Sequence, residues 1–408
     1  MSVNKKLWSR RAFLKTVGAA GMGTLFTASD LPKAVSAATN SMIGTMPLRP
    51  FGKTGVSVPI LGFGGSQNLE SKQRLLRQAA KLGVTYWDTA ESYAGGGSEE
   101  AMGKYFETYP GDRKKIFLVT KSHATSAKGL SDSLDGSLER LSTSYIDLYL
   151  VHGIGSPSEM DDEIRVWSEK KKAEGKIQFI GFSAHNNMDA CMMGAAKLGW
   201  IDGIMVTYNY RLMHTDPMKR AVEACVKAGI GLTAMKTQAG WSWGYVGKRS
   251  KTTAQLIEGI SRKGFTEKQA KLKAVWENPH IASICSEMTN FKILASNVAA
   301  ARNQTRLSSK EHSLLNRYAH ETASQYCAGC AYICESVLEE DLPVSDTLRF
   351  LMYARCYGEP ERAKACFRGI PPHVRKQMVQ ADYTAAETAC PQGIPIGRLM
   401  KEAGSELA

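Results

Sequence analysis

Eight short apolar segments punctuate residues 59 to 288, and stretches with helical periodicity fill the intervals between them. The segments are Pro59–Gly64, Thr85–Asp88, Ile116–Lys121, Asp147–His152, Ile177–Ser183, Gly203–Asn209, Gly231–Lys236 and Ile281–Met288. Most are rich in Val, Ile, Leu, Tyr or Phe, as strands buried on both faces are. Intervals such as Lys72–Ala80 carry a mixed polar and apolar helical pattern. Strand and helix alternating at this spacing imply parallel strands. Eight such units predict an α/β chain closed into a (β/α)8 TIM barrel, with its active site at the C-terminal ends of the strands. A doubly wound open sheet is the alternative, but no G-x-G-x-x-G follows the first strand.

The remaining composition narrows the function. Of 408 residues, 43% are hydrophobic and 22% charged, ordinary values for a chain with a large core. No run of about 18 apolar residues predicts a stable membrane span. The net charge is +13, but residues 1–37 hold six Lys/Arg and one Asp and so supply +5 of it. No recognition-helix, zinc-finger or RNA-binding signature accompanies the rest, so no nucleic-acid partner is expected.

The first 38 residues read as an address. Ser9-Arg10-Arg11-Ala12-Phe13-Leu14-Lys15 precedes an apolar, Gly/Ala-rich stretch from Thr16 to Ala28, and Ala34–Ala38 offers small residues for cleavage. Basic, apolar and small-residue regions in that order form a secretory signal. The Arg10-Arg11 pair makes it resemble a twin-arginine signal, which implies export of a folded protein to the periplasm or cell envelope. The segment from about Ala239 to Gln269 is long for a barrel connection, and its Trp241, Trp243 and Tyr245 are read either as a substrate-shaping loop or as a packed cover.

Polar residues stand at the ends of successive predicted strands: Asp88, Lys121 and His152, with Tyr93 five residues past Asp88. Such a set supports proton donation to a carbonyl oxygen. A tyrosine hydroxyl ionises near pH 10. A neighbouring ammonium favours the phenolate and lowers that value, and a carboxylate holds the ammonium charged and in place. An imidazole can orient the substrate oxygen.

At this point the chain closely resembles the aldo-keto reductase family. Leu48–Pro59 looks like that family's opening, and Gly175–Ser183 like its fifth strand. The resemblance places the barrel at residues 46–302 and implies hydride transfer between a nicotinamide cofactor, NADP or NAD, and a small carbonyl or alcohol substrate. By it, Asp88, Tyr93, Lys121 and His152 are the catalytic tetrad, with Tyr93 as general acid/base. Ser183 matches a ligand of the nicotinamide amide, Lys236 a cofactor position after the seventh strand, and Asn297 a late adenine contact. The chain departs from the family at several cofactor positions: Ala184-His185 follows Ser183, Met205 stands for a glutamine, Met235 for a stacking tyrosine and Glu287 for a glycine, with only Lys292 near to read a 2′-phosphate.

Of nine cysteines, Cys191, Cys225 and Cys285 fall in barrel segments and read as buried fillers. Cys327, Cys330 and Cys334 form C-x2-C-x3-C, and Cys390-Pro391 follows much later. A close trio with a distant Cys-Pro resembles the ferredoxin motif. It is also similar to the ferredoxin-like tails of some aldo-keto reductases. The resemblance implies a small, mainly helical C-terminal iron–sulfur domain over residues 310–402, with one 4Fe–4S cluster on Cys327, Cys330, Cys334 and Cys390. No second trio precedes Cys390, because Gln380, Tyr383 and Ala386 hold those positions. A structural zinc on the same thiolates and disulfides in an oxidising compartment stay open. Cys356 and Cys366 sit in a helical run from Leu348 to Phe367 and fit no metal motif.

Two readings follow. In the first, the chain is an exported redox enzyme whose cluster passes electrons to an envelope electron-transfer partner or stabilises the tail. In the second, the barrel is catalytically silent and serves as a binding or structural module. Free nicotinamide nucleotides are scarce outside the cytoplasm, so the first reading requires a tightly bound cofactor or an electron-exchanging partner.

Overall fold

The computed structural model describes residues 45–238, 258–259 and 265–408. Arg10, Arg11 and the aromatic residues Trp241, Trp243 and Tyr245 lie outside them. Two short strands, β1 (Leu48–Pro50) and β2 (Ser57–Pro59), pair antiparallel as a hairpin. Eight more follow: β3 (Leu61–Gly64), β4 (Tyr86–Asp88), β5 (Phe117–Ser122), β6 (Ile146–Val151), β7 (Ile177–Ala184), β8 (Gly203–Thr207), β9 (Gly231–Met235) and β10 (Ile281–Glu287). They form a closed barrel in sequence order, with β10 pairing β3. Each overlaps one of the eight predicted segments, so the (β/α)8 barrel expected from the repeat is the fold observed.

The barrel interior explains why the site lies at one end. Phe51 and Val58, from the hairpin region, pack with Tyr86, Phe117, Leu148 and Met205 into an inner core. Phe51 is fully buried, and its ring lies 5.4 Å from that of Phe117. Glycines make room for it: a Cβ at Gly203 or Gly231 would come within 2.7 Å of the Phe51 ring. The lower barrel is therefore filled, and polar side chains at the strand C-termini are left to line the open end.

After the barrel the chain is helical. The longer helices are Ser309–Glu321, Val344–Tyr357, Pro360–Arg368, Pro372–Gln380 and Ile396–Glu406. Leu348, Leu351, Phe367, Met378, Leu399 and Met400 are buried in one apolar cluster with the residues between strands and outer helices of the barrel. Residues 45–408 accordingly form one compact unit. The run from Leu348 to Phe367 is not one helix. Gly358 ends the first with φ +70°, and Pro360 opens the second at a position where its missing N–H costs nothing. Among the described residues, no helix is long and apolar enough to cross a membrane.

Candidate active site

Three neighbouring strands deliver the predicted polar set. Asp88 is the last residue of β4, Lys121 lies near the end of β5, and His152 immediately follows β6. Lys121 Nζ is 2.5 Å from Asp88 Oδ1 and donates to the Thr89 carbonyl at 2.7 Å. Tyr93 opens a 3-10 turn. The turn is tightly wound, with Ala94, Gly95 and Gly96 all at positive φ. Left-handed backbone at a non-glycine residue such as Ala94 is held only where surrounding structure imposes it. The turn brings the Tyr93 ring to 4.9 Å from Lys121 Nζ and sets it edge-on to His152 at 5.8 Å. All four residues therefore converge.

The electrostatics refine the expectation for Tyr93. Burial pushes its hydroxyl up to about 12, and the Lys121 ammonium offsets only part of that rise. The predicted lowering by lysine is present but burial outweighs it, so Tyr93 is a neutral phenol at pH 7. Burial also opposes the Lys121 charge, but Asp88 and Tyr93 hold it above the ordinary lysine value. His152 is held well below the usual imidazole range by burial and by Lys121, and is neutral. Its ring stacks on His123 at 4.1 Å, and its buried Nδ1 has no hydrogen-bond partner among the described residues. Of the barrel cysteines, Cys191 and Cys225 are buried as expected, whereas Cys285 is only partly buried and lies beside Asp88.

The cofactor-side residues are dispersed. The Ser183 hydroxyl is buried and accepts from Gly153 N–H at 3.0 Å, holding the turn after β6. Asn297 is buried and donates from Nδ2 to Ser286 Oγ at 3.0 Å; Ser286 lines the cavity in its place. Lys236 does line it, from a backbone at φ +55°, with its Nζ 3.1 Å from His185 Nδ1 and its ionisation held well below the ordinary lysine value by burial. Met205 is buried in the inner barrel.

A cavity of about 600 Å³ joins these groups, with Asp88, Tyr93 and Lys236 on the barrel side. Tyr353, Tyr357 and Arg362 complete its wall from the C-terminal helices. Arg362 lies 4.3 Å over the Tyr353 ring and 5.7 Å from that of Tyr93. Sequence reasoning missed this cover. Its signal was the spacing of Arg349, Tyr353 and Tyr357, four residues apart and so on one helix face.

Cys327 and Cys330 lie in a loop, Cys334 ends the short helix Ala331–Cys334, and Cys390 follows the helix Thr384–Ala389 packed against it. The four thiols feel one another's charge: Cys334 senses the other three, and Cys330 senses Cys327 and Cys390. Gly329 seats the loop behind the cavity. Its carbonyl accepts from Asn187 N–H at 2.6 Å, and a Cβ there would stand 2.5 Å from the His185 carbonyl oxygen. Cys327, Cys330, Cys334 and Cys390 form no disulfide, and Cys356 lines the large cavity. Among the described residues, no group of three or more His, Cys, Asp or Glu side chains is gathered as one metal ion would require.

A closed barrel with a neutral phenol, a paired ammonium and a neutral imidazole at its mouth defines a class of barrel oxidoreductases. The model of the Aldo/keto reductase family matches residues 60–309, more than half of the chain, and the chain belongs to that family. Aldo-keto reductase yakc (NADP+) of Schizosaccharomyces pombe is 34% identical over 161 residues, covering 34% of this chain and 46% of that protein. Methylglyoxal reductase YeaE of Escherichia coli is 40% identical over 136 residues, covering 31% and 46%. The chain thus spans about half the length of these two relatives. L-galactose dehydrogenase of Arabidopsis thaliana is 24% identical over 293 residues, covering 65% of this chain and 92% of that one. Among solved structures, an aldo/keto reductase from Klebsiella pneumoniae in complex with NADP and acetate matches with a TM-score of 0.54 and 27% identity, over 67% of this chain and 95% of that one.

Proposed function

We propose that this chain is an exported oxidoreductase that interconverts a small carbonyl compound and its alcohol with NADP or NAD, and that it carries one 4Fe–4S cluster. The observation that carries the redox reading is the Lys121–Asp88 pair, buried beside the neutral Tyr93 hydroxyl and the neutral His152 ring, with Asp88 and Tyr93 on the wall of one cavity. When bound, the nicotinamide supplies or accepts the hydride. Tyr93 donates its hydroxyl proton to the carbonyl oxygen. Lys121, kept charged by Asp88, steadies the phenolate left behind. His152 offers a neutral N–H that orients the same oxygen. Lys268 lines the cavity and would face the phosphates of an anionic cofactor, whereas burial and then Arg349 and Arg362 push the Lys236 amine well below the ordinary lysine value. Ser183 and Asn297 would contribute by fixing the turn after β6 and the contact with Ser286. The relatives' names, an NADP+ enzyme and a methylglyoxal reductase, support the same chemistry.

The cluster reading rests on the four thiols. They stand in a C-x2-C-x3-C trio with a distant Cys390-Pro391, and the helix before Cys390 packs against the one that Cys334 ends. Export rests on the Arg10-Arg11 segment. An absorption spectrum with cofactor extraction and metal analysis on envelope-purified protein tests these points together. A brown protein releasing a nicotinamide nucleotide is expected; colourless protein with one zinc and no nucleotide would contradict the proposal. Arg10→Lys with Arg11→Lys should retain the precursor in the cytoplasm, and normal export of that variant would contradict the twin-arginine reading.

A further inference from the structure

The wall that closes the large cavity from the C-terminal side lies beyond the family match, which ends at residue 309. The helix Val344–Tyr357 presents Tyr353 and Tyr357 to the cavity, and the helix Pro360–Arg368 presents Arg362. Tyr353 is 4% exposed, but Tyr357, its ring 6.0 Å away, is 38% exposed although it faces the cavity. An aromatic ring left uncovered there is an unused stacking surface. The Arg362 guanidinium lies 4.3 Å over the Tyr353 ring, which holds its planar fork in place. Its Nη1 donates to Glu359 at 2.8 Å, and its other N–H groups meet no protein acceptor among the described residues. Glu287, at the end of β10, faces the same space.

The barrel side of the cavity offers fewer cofactor groups than the family resemblance implies. Met235 stands where a stacking tyrosine is expected, Met205 is buried in the inner barrel, and burial holds the Lys236 amine well below the ordinary lysine value. The facing wall carries the missing chemistry. An uncovered ring takes a base, a guanidinium with spare donors takes phosphate, and a carboxylate accepts from ribose hydroxyls. Those three groups together match a nucleotide. A plain carbonyl compound has no phosphate or sugar to offer them. The cavity, at about 600 Å³, is within the range of pockets that enclose ligands of that size.

We infer that the C-terminal helices complete the cofactor site: Tyr357 stacks on a base of the nicotinamide dinucleotide, Arg362 pairs with its phosphates and Glu287 accepts from a ribose hydroxyl. The inference rests on the nicotinamide-dependent role proposed above, and it moves part of cofactor binding from the barrel to the tail. Arg362 also lies 5.7 Å from the Tyr93 ring, so this wall runs up to the catalytic end of the cavity. A dinucleotide gripped by barrel and tail together is slow to leave. An exported enzyme needs that property, because free nicotinamide nucleotides are scarce outside the cytoplasm.

The test reads binding, not turnover, on the purified full-length protein after removal of any nucleotide that co-purifies. NADH and NADPH are titrated by nicotinamide fluorescence, and release is timed by chasing the bound reduced nucleotide with excess oxidised nucleotide. Tyr357→Ala and Arg362→Met should each weaken the tighter-bound nucleotide at least about tenfold, chiefly through faster release. Tyr357→Phe keeps the ring and should bind as the wild type does. Arg362→Lys keeps the charge without the fork and should recover only part of the loss. Where Arg362→Met does not fold, the Tyr357 pair decides. Nucleotide binding and release unchanged in Tyr357→Ala and Arg362→Met would overturn this assignment and leave the carbonyl-reducing reading standing. The same unchanged binding with a raised KM for the carbonyl compound would overturn it too and give the wall to the substrate. Wild-type protein that binds neither nucleotide would overturn the carbonyl-reducing reading, and this assignment with it.

Discussion

Lys121 Nζ stands 2.5 Å from Asp88 Oδ1, with the two side chains only 1% and 4% exposed. A bare ammonium in that position would lose the stabilisation of water, so the carboxylate is what allows a full positive charge beside Tyr93. The same charge draws on Tyr93 across 4.9 Å. Structure and catalysis therefore depend on one ion pair.

Asp88→Asn leaves the ammonium buried without its counter-charge. Breaking a buried pair from one side costs about 3–5 kcal/mol. Denaturant unfolding should show a loss of that order, and Asp88→Asn combined with Lys121→Met should recover part of it. A single variant destabilised by less than about 1 kcal/mol would mean that the pair is solvated and weak.

The pH dependence follows from two shifts. Tyr93 ionises only near 12, so its proton stays available throughout the neutral range. His152 is depressed well below the ordinary imidazole value, so it stays neutral down to mildly acidic pH. Reduction should therefore be nearly flat between about pH 6.5 and 9, because both groups keep one form across that interval. Alcohol oxidation, which needs the phenolate, should rise with pH over the whole range. An alkaline limb of reduction centred near pH 8 would show that Lys121 dominates over burial.

Cys390→Ala tests the distant ligand. About four irons per chain are expected in the wild type, since a cubane has one iron for each thiolate. The variant should lose or degrade the cluster with Cys327, Cys330 and Cys334 intact, and proteolysis beyond about Glu335 should accelerate. Full iron content and an unaltered spectrum would assign the fourth ligand elsewhere, with Cys356 or Cys366 next in line.

The barrel was legible because parallel strands buried on both faces read as continuous apolar runs, and a polar residue closing each run exposes the site. Asp88, Lys121 and His152 stood out for that reason. Net electrostatics did not: the ammonium's effect on Tyr93 follows from residue types, whereas the larger effect of burial depends on the packed cavity. Arg349, Tyr353 and Arg362 reach the barrel only through docking of helices roughly 200 residues beyond its middle strands, and no local pattern encodes that docking. The break at Gly358 and Pro360 is readable from residue types, since a glycine followed closely by a proline ends one helix and opens the next.

Tyr93→Phe tests the central claim most directly. The change removes the proposed proton donor and keeps the ring that packs against His152. With a competent carbonyl substrate, kcat/KM for reduction should fall at least a hundredfold, about 2.7 kcal/mol of barrier, while the thermal unfolding midpoint stays within a few degrees. A loss smaller than tenfold in a folded variant would contradict the assignment of Tyr93 as the proton donor.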